Sequence, residues 1–134
     1  MSDPSLELQA AIVTALKANA GVAAIVGTRV YDNVPPSATF PYISLGDSQV
    51  LPDKADCIDG TEIFFNLDGW SRDNRFPECK TISKAVVAAL DDQPLTVTGY
   101  TAVVFELDNI NYLRDPDGIT RHVALSFRVL VQSS

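Results

Sequence analysis

The sequence predicts an α+β domain in which a mostly antiparallel β-sheet packs with two main α-helices. Three observations predict it. Ile119 to Val131 alternates with period two, placing Val123, Leu125, Phe127, Val129 and Val131 on one face and His122, Ala124, Ser126, Arg128 and Leu130 on the other. The turn Asp115-Pro116-Asp117-Gly118 joins this run to a second extended one, which makes a hairpin. Two stretches of helical spacing interrupt the strands, and the order helix, strands, helix, strands fits an α+β layering rather than βαβ units.

The elements follow in order. Asp3-Pro4 reads as an N-cap with proline at the first helical position, and Glu7 sits where the helix dipole favours an acid. Leu6, Ala10, Val13 and Leu16 or Lys17 recur at helical spacing until Asn19-Ala20-Gly21, and Val22 to Val26 forms one further short turn that stops at Gly27. Arg29 to Tyr31 is briefly extended, and the three prolines between Asn33 and Pro41 hold a loop. Tyr42 to Leu45 reads as a strand, and Gly46 to Gly60 as a long polar excursion that is either functional or mobile.

Thr61 to Trp70 alternates again, with Ile63, Phe65 and Leu67 opposite Glu62, Asn66 and Asp68. Phe64 and Trp70 are large apolar groups on the polar face, which implies that a helix or another subunit covers it. Glu78 to Leu90 is helical with Ile82, Val86, Ala89 and Leu90 as its stripe. Leu95 to Val97 makes a short strand. Ala102 to Leu113 is extended, but Val103, Phe105 and Leu107 share one parity and Ile110 and Tyr112 the other, so a β-bulge is expected near Asp108-Asn109. Pro116 and Gly118 suit a type I turn followed by a residue at positive φ, which sets Arg114 across from Arg121.

The 134 residues fit one domain, 1–134, and 46% apolar against 20% charged residues is ordinary globular material. No apolar run approaches the roughly 20 residues that span a bilayer, and no basic-then-apolar leader is read at the N-terminus, so the expected setting is cytoplasmic with no membrane. The net charge of −7 argues against a sequence-reading nucleic-acid protein. Asp47, Asp53, Asp56, Asp59 and Glu62 gather within sixteen residues, countered only by Lys54. They are either a solvated loop or a surface past which something anionic must slide. Cys57 and Cys79 have no metal-site spacing and are expected to be reduced.

Catalytic patterns are absent by the same reading. His122 is the single histidine and lies mid-strand; no nucleophile-elbow serine or phosphate-cradling glycine loop occurs. Asp115 and Asp117 are explained by the turn, and the spacing of Asp56, Asp59 and Glu62 arises by chance in acidic loops, so no metal or cofactor is expected. Arg114, Arg121 and Arg128 on or near the hairpin, and Arg72 beside Trp70, have the make-up of an interface, as does Tyr112; solvated charge is the plain alternative.

Several short signatures line up in order: Val26-Gly27-Thr28-Arg29-Val30-Tyr31-Asp32, Val34-Pro35-Pro36, Phe40-Pro41-Tyr42-Ile43-Ser44-Leu45-Gly46, Leu67-Asp68-Gly69-Trp70-Ser71, then Asp115-Pro116-Asp117-Gly118, Arg121-His122 and Phe127-Arg128. Over about residues 6–131 the chain resembles the small tail-completion proteins of tailed phages and gene transfer agents, and is similar in outline to siphophage tail terminators. The resemblance implies a non-enzymatic virion protein at the head-proximal end of the tail, assembled in the bacterial host cytoplasm. It implies a ring, commonly hexameric, that caps the tail tube, stops its growth and meets the head-tail connector or stopper protein, with the major tail-tube protein below and DNA passing through the lumen. One departure is the helix opening at Asn74-Arg75-Phe76-Pro77-Glu78-Cys79, smoother in relatives. On this reading Phe64, Trp70, Arg72, Tyr112, Arg114, Arg121 and Arg128 are candidates for the subunit interface, and Asp47, Asp53, Asp56, Asp59 and Glu62 for the lumen. The alternatives are another neck or tail-tube part, or a small ligand-binding α+β domain.

Overall fold

The computed structural model describes residues 3–53, 60–73 and 75–133. In them the helices α1 (Ser5–Ala18), α2 (Ala20–Val26) and α3 (Pro77–Leu90) lie against one face of a six-stranded sheet. Its strands are β1 (Val30–Tyr31), β2 (Tyr42–Asp53), β3 (Gly60–Ser71), β4 (Thr96–Val97), β5 (Tyr100–Arg114) and β6 (Arg121–Ser133), ordered β1-β2-β3-β6-β5-β4. All pairings are antiparallel except β1 with β2. The expected fold class is therefore the observed one.

Helix α1 begins one residue later than expected. Pro4, not Asp3, is the N-cap: its carbonyl accepts the first helical bond, from Leu8 N at 2.9 Å, while Asp3 Oδ1 accepts from Ser5 N. Proline fits there because the N–H it lacks is not needed at a helix start. The buried stripe also differs. Leu8, Ile12 and Leu16 enter the core, whereas Leu6 is 73% exposed and Ala10 faces outward. Residues two apart on a helix point about 200° from each other, so burying the three large side chains at i, i+4 and i+8 turns Leu6 out. Asn19 ends α1 and its Oδ1 accepts from Val22 N at 3.0 Å, which starts α2 after a bend of 79°. Among the described residues no single helix is long and apolar enough to cross a membrane.

Strand β2 corrects the long polar excursion: the chain stays in the sheet to Asp53, paired with β3 over Tyr42–Leu45 and again over Ser48–Asp53. A register shift between Leu45 and Ser48 hides it from the sequence, since residues 46–49 are all exposed and show no alternation. Lys54, Asp56, Cys57 and Asp59 lie outside the described residues.

Strands β3 and β6 form the centre and alternate as read, with Ile63, Phe65, Leu67 and Val123, Leu125, Phe127, Val129, Val131 inward. Phe65, Phe105 and Phe127 pack with centroids 5.3–5.8 Å apart, a contact favoured by ring quadrupoles in offset or tilted geometry. Ile82, Val86 and Leu90 of α3 close over this layer, and Cys79 joins them as a buried thiol. Strand β5 carries the expected irregularity between Leu107 and Asn109, plus a second between Ala102 and Val104. The hairpin closes through Gly118 N to Asp115 O at 3.1 Å with Gly118 at φ 77, and Arg114 pairs with Arg121.

Candidate assembly surface

Strand alternation leaves the helix-free face of the sheet to the other half of the side chains, and register assigns them to rows. Tyr42, Trp70, His122 and Leu113 form one row across β2, β3, β6 and β5. Ser44, Asp68, Ala124 and Asn111 form the next, and Gln49, Phe64, Arg128 and Glu106 a third. None of the three helices covers Phe64 or Trp70, so the expectation of a helix there is not met; the sheet's own cross-strand neighbours half-bury them.

Trp70 is the hub of the first row. Its ring stacks on His122 at 3.9 Å and lies 6.4 Å from Tyr42, and its indole N–H donates to Ser44 Oγ at 3.0 Å. His122 Nε2 is 2.6 Å from Asp68 Oδ1. The single histidine is thus a structural member of a polar and aromatic ladder. Burial raises the Tyr42 hydroxyl above its ordinary range, partly offset by Arg72. Below this row Ser126 Oγ donates to Asn66 Oδ1 at 2.6 Å. Arg128 bridges Glu62 at 2.6 Å and Glu106 at 2.9 Å, and its hydrogen bonds to Glu62 and Glu106 raise its pKa further.

The second feature is the hairpin end. Phe76, just before α3, receives Arg114 at 5.2 Å and Arg121 at 5.5 Å over its ring. Lys80 stands 5.1 Å from the Tyr112 ring, whose hydroxyl is 2.6 Å from Ser83 Oγ. Arg72 lies 4.4 Å over Phe40. Such cation–π pairs hold basic groups on an apolar floor. Arg121 is only 8% exposed, while Leu113 and Ile119 are 45% and 51% exposed. Asp117 accepts from Ile119 N, Thr120 N and Thr120 Oγ1, and the bonds to Thr120 hold its carboxyl below the usual range.

The structure thus brings Arg72, Tyr112, Arg114 and Arg121 to one end, with Phe40 and Phe76 as partners that sequence reading missed. Phe64, Trp70 and Arg128 fall on the open face instead. Among the acids, Asp47 is exposed at the β2 irregularity, Glu62 is neutralised by Arg128, and Asp53 ends β2. Among the described residues no three of His, Cys, Asp and Glu cluster as metal ligands.

A family model described as Tail completion protein gp17 matches residues 10–132. The tail completion protein gp17 of Bacillus phage SPP1 is 28% identical over 95 residues, which are 71% of this chain and 70% of that protein. A chain from the virion of a native gene transfer agent particle superposes with TM-score 0.90 at 29% identity, covering 99% of this chain and all of that one. The structure of bacteriophage SPP1 gp17 gives TM-score 0.63 at 25% identity over 93% of this chain and 88% of that one. These relatives are structural virion components, so the expected virion tail role is borne out at that level. With nearly its whole length matched, the chain belongs to the Tail completion protein gp17 family.

Proposed function

We propose that the chain, as a single domain, caps the tail tube as an oligomeric ring, ends tube growth and joins the tail to the head connector, with DNA passing through the lumen. The observation that carries this reading is the agreement with a chain of the gene transfer agent virion over 99% of this chain and all of that one. The physics of the chain supports it. Strands of 12 to 15 residues make a stiff wall. Basic and aromatic groups concentrated at the hairpin end in a chain of net charge −7 supply a specific contact where general self-repulsion would otherwise prevail. A six-fold ring is the expected closure, with heterologous contacts between neighbours. The major tail-tube protein below and the head-tail connector or stopper above are its partners.

Asp47, Asp53, Asp56 and Asp59 are the acids assigned to the lumen, where like charge disfavours adhesion of passing DNA. Glu62 belongs there less, because Arg128 neutralises it. Native mass spectrometry with negative-stain imaging, run with and without tail tubes, tests the ring; lysine replacement of the acids should slow DNA ejection while leaving assembly intact. Unchanged ejection removes the lumen assignment. A ligand-loaded monomer that ignores the tube removes the structural reading.

A further inference from the structure

We infer that the hairpin tip of one subunit docks in the groove between α1 and β4 of a second copy, where Arg114 pairs with Glu7. The inference rests on the ring reading and names the contact that closes it. The groove holds about 450 Å³ and is walled by Leu6, Ala10 and Ala11 of α1 and by Pro94, Leu95 and Thr96 at the entry to β4. It runs along a sheet edge, since β4 is the last strand and is only two residues long. Leu6, at 73% the most exposed large apolar side chain among the described residues, also lines it.

Charge selects the occupant. Glu7 also lines this groove, and its Oε2 is removed from solvent with no hydrogen-bond partner among the described residues. A carboxylate oxygen taken out of water calls for a donor, best a cation. The hairpin tip offers the complement: Leu113 and Ile119 are exposed beside Arg114, an exposed guanidinium that forms no ion pair among the described residues. Apolar side chains meet the apolar walls, and Arg114 meets Glu7.

A single chain cannot make this contact for itself. Val97 of β4 pairs with Tyr100 at the start of β5, and Arg114 ends the same strand. Fourteen steps along a strand separate them by on the order of 45 Å. Knob and groove at opposite ends of one strand give a head-to-tail contact, the kind that propagates and closes into a ring.

Charge reversal tests the pair. Glu7→Arg and Arg114→Glu should each lower the fraction of subunits assembled on tail tubes by roughly tenfold, and the double variant should return it to within about threefold of wild type. Circular dichroism verifies that each variant is folded. Independently, Leu6→Cys with Ile119→Cys, in a background carrying Cys57→Ser and Cys79→Ala, should give an oxidation-dependent ladder of cross-linked subunits in assembled protein. Wild-type rings with full assembly of both single variants, or with no cross-link, overturn the inference and leave the ring standing. Absence of any wild-type ring on tubes overturns both.

Discussion

Gly69→Ala adds one methyl group where the sheet and α3 leave no room for it. Gly69 lies in β3, flanked by Ile43 and Val123 on the neighbouring strands. A Cβ there would stand 2.7 Å from Val123 Cγ1 and 2.9 Å from Ile82 Cγ2, against the roughly 3.5–4.0 Å at which carbon atoms rest. Both neighbours are β-branched and almost fully buried, so neither rotates away cheaply. Relief needs β6 to yield at Val123 and α3 to lift off the sheet at Ile82, each by on the order of 1 Å, which loosens the Ile82, Val86 and Leu90 contacts. Overpacking of this kind costs about 1–3 kcal/mol. Replacing glycine in a strand interior returns about 0.5–1 kcal/mol through lost chain entropy. The mid-range net is a destabilisation of roughly 1 kcal/mol, at most about 2.5 kcal/mol, equivalent in a chain of this size to a fall in Tm of about 4 °C and at most about 9 °C. Thermal unfolding followed by circular dichroism reads it directly. An unchanged or higher Tm would refute the reasoning, because α3 would then have slack against β3.

Phe127→Ala should cost about 3–5 kcal/mol in urea unfolding, since the ring is fully buried between Phe65 and Phe105; its neighbour Arg128→Ala should cost no more than about 1 kcal/mol, its ion pairs being partly exposed. Burial, with Glu78 adding, pushes the Cys79 thiol up to about 11 from its ordinary 9.0. Its folded value lies above the unfolded one, so this contribution is intact below pH 9 and lost as pH rises through 11. Stability should fall by up to roughly 2–3 kcal/mol across that window, and Cys79→Ala should flatten the slope. Asp117 behaves in the opposite sense: its folded value is depressed, so its contribution is present above the unfolded carboxylate range and lost as pH falls through the folded one. The stability gap between wild type and Asp117→Ala should therefore narrow in acid, and a gap independent of pH would contradict the role of its ionised form.

Elements whose side chains divide cleanly between core and solvent were legible in the sequence. β6, β3, the hairpin turn and α3 all fall in this class, as does the irregularity at Leu107/Asn109, where a parity change is itself visible. β2 was not, because its exposed residues 46–49 carry no alternation and the register shift resets the faces. The face of α1 was misread because Leu6, Ala10 and Val13 mimic a stripe, and only packing shows that Leu8, Ile12 and Leu16 win it. For the candidate surface, arginines on the hairpin were visible as residues but their floor was not. Phe76 meets Arg114 and Arg121 only once α3 is docked on the sheet. Likewise Trp70 looked orphaned until register set it opposite His122. Long-range register is what the sequence lacks, and it decides which polar-face aromatics are already satisfied and which await a partner.

The ring proposed for the end of the tail tube is open to direct observation. Imaging tail tubes assembled with and without the purified protein, alongside native mass of the recovered caps, tests it most directly. A terminating ring gives tubes of defined length, with one closed ring seated at one end and a single subunit number in the mass spectrum. Tubes of unchanged length distribution, with the protein recovered as monomer, would contradict it.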